Sequence, residues 1–266
     1  MTNKEVPPIQ TIQDHLNRTL TLPHPPKRII SLVPAITETM YHLGLEDKIV
    51  GRTRFCIHPE DKVQQAINIG GTKEIKLDRI HELKPDLIIA EKEENTKEIV
   101  ETLEQFYPVF VFEVKSIADV YRMIADVGRL TEREAESTNL VEGIQREISH
   151  LPNVKGKRAA YVIWQRPYMV VGKDTYIQSL LTEMGFTNPF TALEGRYPAV
   201  TEEDFRQAEL DFILLATEPY PFRKKHIAEF QAMLPDVKPV IVDGEMFWYG
   251  AKMIQVAAYF REKFSG

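Results

Sequence analysis

The chain has 266 residues, of which 43% are hydrophobic and 27% charged, a composition that supports one large or two small globular domains with a sizeable core. A formal net charge of -6 argues against non-specific nucleic-acid binding, and a single cysteine, Cys56, rules out an internal disulfide and a four-cysteine zinc site. The N-terminus shows no basic region leading into an apolar run, and no apolar stretch approaches the ~18 residues of a membrane helix. The expectation is a chain not embedded in a membrane, cytoplasmic if complete and exported if a leader has been removed.

Residues 1–27, punctuated by Pro7, Pro8, Pro23, Pro25 and Pro26, read as an extended or edge-strand lead-in. Strands and helices then alternate, the pattern of a parallel α/β sheet. Strands are predicted at 28–32, from 49, at 86–90 and at 109–112, with helices at 36–43, closed by Gly44, and at 77–83. Asn95 with Glu98 has the spacing of an N-cap and its capping-box partner for a helix running to about Phe106. Two helices follow, 117–130 and 132–151, the second capped by Thr131 and carrying Leu140, Val141, Ile144, Ile148 and Leu151 at helical spacing. After Pro152 a second α/β set begins. Its predicted strands are 158–164, 211–216 and 240–242. Its helices run from an Asp174 cap to Gly185, then over 201–208, 224–234 and 250–264.

The two sets echo each other. Residues 77–90 read LDRIHELKPDLIIA and residues 202–215 read EEDFRQAELDFILL. Aligning Asp86 with Asp211 places Ile80 on Phe205 and Asp78 on Glu203. Each unit is a short amphipathic helix, a polar turn with an aspartate, and a buried strand. A single match of this kind arises by coincidence among α/β proteins, or the matching place in both sets reflects a pseudo-twofold arrangement.

In open α/β sheets ligands bind beyond the carboxyl ends of the strands, so candidate residues are sought there. Pro34 and Ala35 open a helix whose N-terminal amides suit a polar or anionic group, or are an ordinary helix start. Arg52, Arg54 and Phe55 follow the second strand, the arginines placed to grip an anion or to lie in solvent. Gly71, in Gly70-Gly71-Thr72, admits close backbone approach or makes a simple turn. The run Glu91 to Glu94 reads as a solvated face. In the second set the signal is aromatic: Trp164, Arg166, Tyr168 and Met169 after one strand, Arg196 and Tyr197 in a loop, and Glu245, Phe247, Trp248 and Tyr249 after the last strand. Flat rings suit a large planar ligand, or pack the interior. Phe247 and Trp248 are adjacent, so the two are not expected to point the same way.

Four blocks, residues 28–51, 77–90, 168–190 and 197–205, in this order and with long helices between, resemble the substrate-binding proteins of ABC importers with a helical backbone, closest to the cobalamin-binding branch. The resemblance implies two Rossmann-like α/β lobes joined by a single long backbone helix, with a ligand cleft between the lobes. That gives an N-terminal lobe over 1–130, a linker helix over 131–152 and a C-terminal lobe over 153–266. It implies a monomer that binds a small metal-chelate ligand without chemistry or cofactor, in the periplasm or at the envelope, and docks on an ABC permease dimer. Asp78 and Glu203 match the acidic docking residues at the tip of each lobe. Tyr197 and Met169 match aromatic cleft positions, and Glu245 matches a ligand-facing acid. The chain also departs from the cobalamin pattern. Gly71 or Thr72 stands near one expected tryptophan, Glu91 near another, and Tyr249 replaces an arginine. Arginines at 52, 54, 166 and 196 suit an anionic iron–siderophore equally, so the ligand stays open between the two.

Other readings compete. A bare metal ion needs converging His and carboxylate ligands, and among His15, His24, His42, His58, His81, His150 and His226 only His58 falls in a candidate loop. Haem would use Met169, Tyr168 or His58 as axial ligand. An intracellular tetrapyrrole or metal-chelate binding protein, or a chelatase-like enzyme, is the alternative from a different class; no GxSxG motif is present.

Overall fold

The computed structural model describes residues 9–23 and 25–264. Pro7, Pro8 and His24 lie outside the described residues. The chain divides into two compact units: one runs through residue 114 and includes 119–142, and the other comprises 115–118 and everything from 143.

The first unit opens with the antiparallel pair β1 (Ile9–Gln13) and β2 (Thr19–Pro23), so the predicted lead-in is a hairpin. Its sheet is built from β3 (Ile29–Ser31), β4 (Ile49–Arg52), β5 (Ile67–Asn68), β6 (Leu87–Glu91) and β7 (Val109–Phe112) in the order β5-β4-β3-β6-β7, all parallel. β6 is buried along its whole length, as a strand covered on both faces must be, and its Leu-Ile-Ile-Ala run supplies the apolar side chains for that. Helices α1 (Pro34–His42), α2 (Leu77–Leu83), α3 (Lys97–Glu104) and α4 (Ile117–Thr131) connect and cover the strands. The tip of the β1–β2 hairpin lies along β7: the Val111 N–H donates to Asp14 Oδ2 at 3.3 Å, the His15 N–H to the Val111 carbonyl at 3.2 Å, and Arg18 Nη2 to the Val109 carbonyl at 3.0 Å.

The second unit holds β8 (Ala159–Trp164), β9 (Tyr168–Val170), β10 (Ala199–Val200), β11 (Phe212–Ala216) and β12 (Lys238–Val242) in the order β10-β9-β8-β11-β12. The order repeats that of the first unit position for position. The connection differs. β8 turns directly into β9 through a tight hairpin, so β9 and β10 are antiparallel additions to a parallel core of β8, β11 and β12. Helices α6 (Tyr176–Glu183), α7 (Glu202–Gln207), α8 (Lys224–Met233) and α9 (Val256–Phe264) complete it. Between α4 and α6 runs α5 (Glu134–Ser149), within which the division between the units falls. Leu140, Ile144 and Ile148 are its buried apolar positions, while Val141 stays half-buried.

The sequence echo is a structural repeat. In the first unit, Asp86 accepts the backbone N–H of Arg28 at 2.8 Å and that of Lys27 at 2.8 Å, and returns its own N–H to the Arg28 carbonyl at 2.9 Å. Arg28 Nε then donates to the Leu83 carbonyl at the end of α2, at 2.9 Å. In the second unit, Asp211 accepts the Arg158 N–H at 2.8 Å and returns its own to the Arg158 carbonyl at 2.9 Å, while Arg158 Nε donates to the Ala208 carbonyl after α7, at 3.0 Å. Lys84 and Glu209, each two residues ahead of the aspartate, take left-handed conformations with φ of 46° and 48°. Ile80 and Phe205 are both buried under their helices.

Three helix starts differ from expectation. Thr96, not Asn95, caps α3, its side chain accepting from the Ile99 N–H. Thr175, not Asp174, caps α6, because Asp174 has φ 58° and an N-cap needs an extended backbone, which Thr175 has. Thr131 belongs to α4 and its hydroxyl donates back to the Val127 carbonyl at 2.7 Å, so it is spent before α5 begins.

The aspartate clamps give a direct test. Asp86→Ala and Asp211→Ala should each lower unfolding free energy by about 1–2 kcal/mol, read from urea transitions, since each removes a charged acceptor from backbone N–H groups at a strand start. The Arg158 N–H holds the Asp211 carboxyl below its ordinary range. Its contribution is therefore present above pH 3.8 and is lost as pH falls through the lowered value.

Candidate functional site

In the first unit the carboxyl ends of β3, β4, β5 and β6 bring four segments together. Pro34 is half-buried and Ala35 buried at the first turn of α1, whose N-cap, Val33, has no side-chain acceptor to offer. Arg52 points inward and is buried. Its Nε donates to the Val63 carbonyl at 3.0 Å, Nη1 to the Thr53 carbonyl at 3.1 Å and Nη2 to Gln64 Oε1 at 2.6 Å. Arg52 is thereby committed to its own loop rather than to a ligand. Arg54 and Phe55 behave differently: both are exposed, and the guanidinium carbon lies 4.8 Å from the centre of the Phe55 ring. The pair rests on Gly71, where an added Cβ would stand 3.2 Å from Arg54 and 3.4 Å from Phe55. A side chain at 71 would push the plate away. Behind it, Cys56 is buried among the hydroxyls of Thr37 and Thr53, and burial holds its thiol above the ordinary range.

The acidic run after β6 is not a solvated face. Glu91 is buried, with Oε2 accepting the N–H groups of Glu93 and Glu94 at 2.7 and 3.1 Å and Oε1 accepting that of Val114 at 3.3 Å. Asn95 closes the same turn, accepting the Glu91 N–H and donating to the Thr72 carbonyl, both at 2.9 Å. Glu91 is the fifth residue of β6, a strand buried at every position, not the first of a loop.

In the second unit, Trp164 ends β8 with 41% of its surface exposed and stands edge-on to Tyr220, ring centres 5.5 Å apart. Tyr220 is held by its hydroxyl, which donates to Gln165 Oε1 at 2.9 Å, and Gln165 Nε2 donates in turn to Glu229 at 3.0 Å. Arg166 is exposed at the hairpin tip. Tyr168 packs against Phe205 and Phe230, with ring centres 5.5 and 5.4 Å away, so much of its ring serves the core. Met169 beside it is half-buried. A pocket of about 550 Å³ opens beside this hairpin, lined by Gln165, Arg166, Tyr168, Thr201, Glu202 and Glu229 among others. Tyr197 is half-buried in its loop.

Beyond β12, Phe247 and Trp248 diverge, as adjacent residues were expected to. Phe247 is 3% exposed and packs on Tyr161 and Phe260, with ring centres 4.6 and 5.0 Å distant. It belongs to the interior and is set aside as a ligand residue. Trp248 is half-buried, and its indole N–H donates to Glu218 Oε1. Glu245 pairs with the buried Lys252 at 3.5 Å, and Tyr249 meets Tyr176 edge-on at 5.7 Å. Glu218 escaped the sequence reading, although it lies two residues beyond β11, where the strand-end rule reaches it. Asp78 and Glu203 are both exposed in the first turns of α2 and α7, and Glu203 also accepts from Gln207 at 3.0 Å. Among the described residues no three His, Cys, Asp or Glu side chains are grouped as a metal ion would require, and no described helix is long and apolar enough to cross a membrane.

The model of the periplasmic binding protein family matches residues 29–236, most of the chain. The chain belongs to that family. Among curated relatives, an uncharacterized ABC transporter substrate-binding lipoprotein of Bacillus subtilis is 28% identical over 66% of this chain and 59% of its own length. The chain thus spans under two thirds of that relative. A vitamin B12-binding protein of Vibrio vulnificus is 28% identical over 67% of each. Of solved structures, the periplasmic vitamin B12 binding protein of Vibrio cholerae superposes with a TM-score of 0.72 at 20% identity, covering 91% of this chain and 99% of that one. That likeness confirms the mixed α/β fold expected from the sequence.

Burial pushes the Glu91 carboxyl up more strongly than its three backbone donors pull it down. Folding therefore favours its protonated form, and stability declines as pH rises from its ordinary value of 4.5 through the raised one. Glu91→Gln should flatten that decline, by up to about 1.4 kcal/mol per pH unit, in denaturant melts run across a pH series.

Proposed function

We propose that this chain is the substrate-binding component of an ABC importer, taking up a metal chelate, either a corrinoid or an iron–siderophore, and passing it unchanged to a permease dimer. The observation that carries the reading is that each unit of a member of this family presents exposed or half-buried rings at strand carboxyl ends, Phe55 in the first unit and Trp164, Trp248 and Tyr249 in the second. Curated relatives that bind vitamin B12 support a corrinoid. The Arg54–Phe55 plate supports a ligand offering acceptors beside a flat or apolar surface. Met169, Arg166, Tyr197 and Glu245 are the further side chains assigned to the ligand, and Pro34, Ala35 and Gly71 the backbone positions. The protein acts as a monomer in the periplasm or at the envelope.

Titration with cyanocobalamin, a ferric hydroxamate and a ferric catecholate, followed by calorimetry and tryptophan emission, tests the reading. One-to-one binding at micromolar Kd or tighter, roughly -8 kcal/mol, with quenching, is expected for one of them. Binding of none sinks both ligand assignments.

Asp78 and Glu203 are assigned to permease docking, each presenting a carboxylate from the first turn of equivalent helices. Such charges at an interface set orientation and on-rate more than affinity. Asp78→Lys with Glu203→Lys should cut cellular uptake of the ligand at least about tenfold while leaving its Kd for the isolated protein within about twofold. Equal loss of both would make the pair structural.

A further inference from the structure

Resting on the receptor reading above, we propose that Glu218 is a positioning residue that turns Trp248 into a stacking surface for a flat, conjugated metal chelate. Glu218 follows β11 and Trp248 follows β12, neighbouring parallel strands, so both stand at the carboxyl edge of the same sheet. The indole N–H of Trp248 donates to Glu218 Oε1. That N–H is the only hydrogen-bond donor the side chain owns. Once it is engaged, the ring has only its π faces and carbon edges with which to meet a ligand.

The arrangement is built from both sides. The Glu218 side chain crosses directly over Gly244: a Cβ there would come within 2.3 Å of Glu218 Cγ and 3.2 Å of its carboxylate. Glycine at 244 is therefore the space through which Glu218 reaches the indole. Gly244 is itself fixed, its N–H donating to Thr217 Oγ1 at 2.9 Å, and Asp243 before it donates its N–H to the Tyr259 hydroxyl at 2.7 Å. The Asp243 side chain caps the turn that follows by accepting the Glu245 N–H at 3.1 Å, and the Trp248 N–H closes it on the Glu245 carbonyl at 3.0 Å. Phe247 anchors the turn in the interior against Tyr161 and Phe260. The turn is thus held through its backbone and Phe247, while Glu218 fixes the indole N–H through a charged acceptor. A carboxylate on the N–H also enriches the ring's electron density, which favours the electron-poor face of a chelated metal macrocycle over an anionic arm.

The chain has two tryptophans, so its indole N–H resonances can be assigned with one substitution, Trp164→Phe. Four forms with Trp164 intact are then compared: the parent, Glu218→Gln, Glu218→Ala and Gly244→Ala. The 15N–1H indole signal of Trp248 and the Kd for cyanocobalamin and for a ferric hydroxamate are measured on each. Glu218→Gln, which keeps an acceptor, should hold the resonance near its place and bind within about threefold of the parent. Glu218→Ala and Gly244→Ala should both shift the resonance, speed its exchange with water and weaken the bound chelate about tenfold or more, leaving the resonances of the core unmoved. If the parent binds a chelate and Glu218→Ala binds it equally well, the inference falls and the receptor reading stands. If the parent binds neither of these chelates nor a ferric catecholate, the reading and the inference fall together. A Gly244→Ala chain that keeps both the parent resonance and the parent Kd also overturns the proposal.

Discussion

Asp86 and Asp211 each stand one residue before a fully buried strand, and each accepts the backbone N–H that precedes the neighbouring strand. Parallel strands have no hairpin turn to set their alignment. A carboxylate that accepts from one strand start while its own N–H returns to the same residue supplies what the turn would have supplied. The arginine that follows the same logic, Arg28 or Arg158, reaches back to the preceding helix end, so helix, turn and two strands are tied at one point in each unit. Everything beyond the far ends of those strands, including the candidate ligand residues, inherits its position from that alignment.

At those far ends the two units use different chemistry. The first offers a guanidinium laid on an exposed ring over a glycine, with a buried carboxylate holding the adjacent turn by its backbone donors. The second offers larger rings, each braced by a polar partner: Trp164 by Tyr220, itself fixed through Gln165 and Glu229, and Trp248 by Glu218. In both cases the residue that attracts notice in a sequence is supported by one that does not. Rigid support of this kind lowers the ordering cost of binding, because the rings are already placed when a ligand arrives.

Periodicity made the central elements legible. The Leu77–Leu83 helix and the Val109–Phe112 strand match expectation to the residue, and the internal echo located both aspartate clamps. What escaped was decided by competition or by brevity. Asn95 has the side chain and spacing of a cap, but its amide is claimed by the Glu91 N–H and the Thr72 carbonyl, and Thr96 inherits the role. The short strands β5, β9 and β10 carry too few residues for an alternation to register. At the candidate site, chain position alone put Phe247 and Trp248 on equal terms; only packing against Tyr161 and Phe260 separates the interior ring from the half-buried one. Likewise no local pattern distinguishes Arg52, turned inward to carbonyls, from Arg54 two residues on.

The hairpin tip that lies along β7 has a consequence for solubility. β7 ends its sheet with the sequence Val-Phe-Val-Phe, fully buried, and its outward N–H and C=O groups would template pairing with another chain if left open. Asp14, His15 and Arg18 occupy those groups instead. The opposite unit protects its terminal strand β12 by composition, with Lys238 and Pro239 at its start. The lead-in is thus a guard on an aggregation-prone edge: a chain trimmed past Arg18 would lose β1 but keep both five-stranded sheets' sequences intact, and yet carry a four-residue nucleus for intermolecular β-assembly.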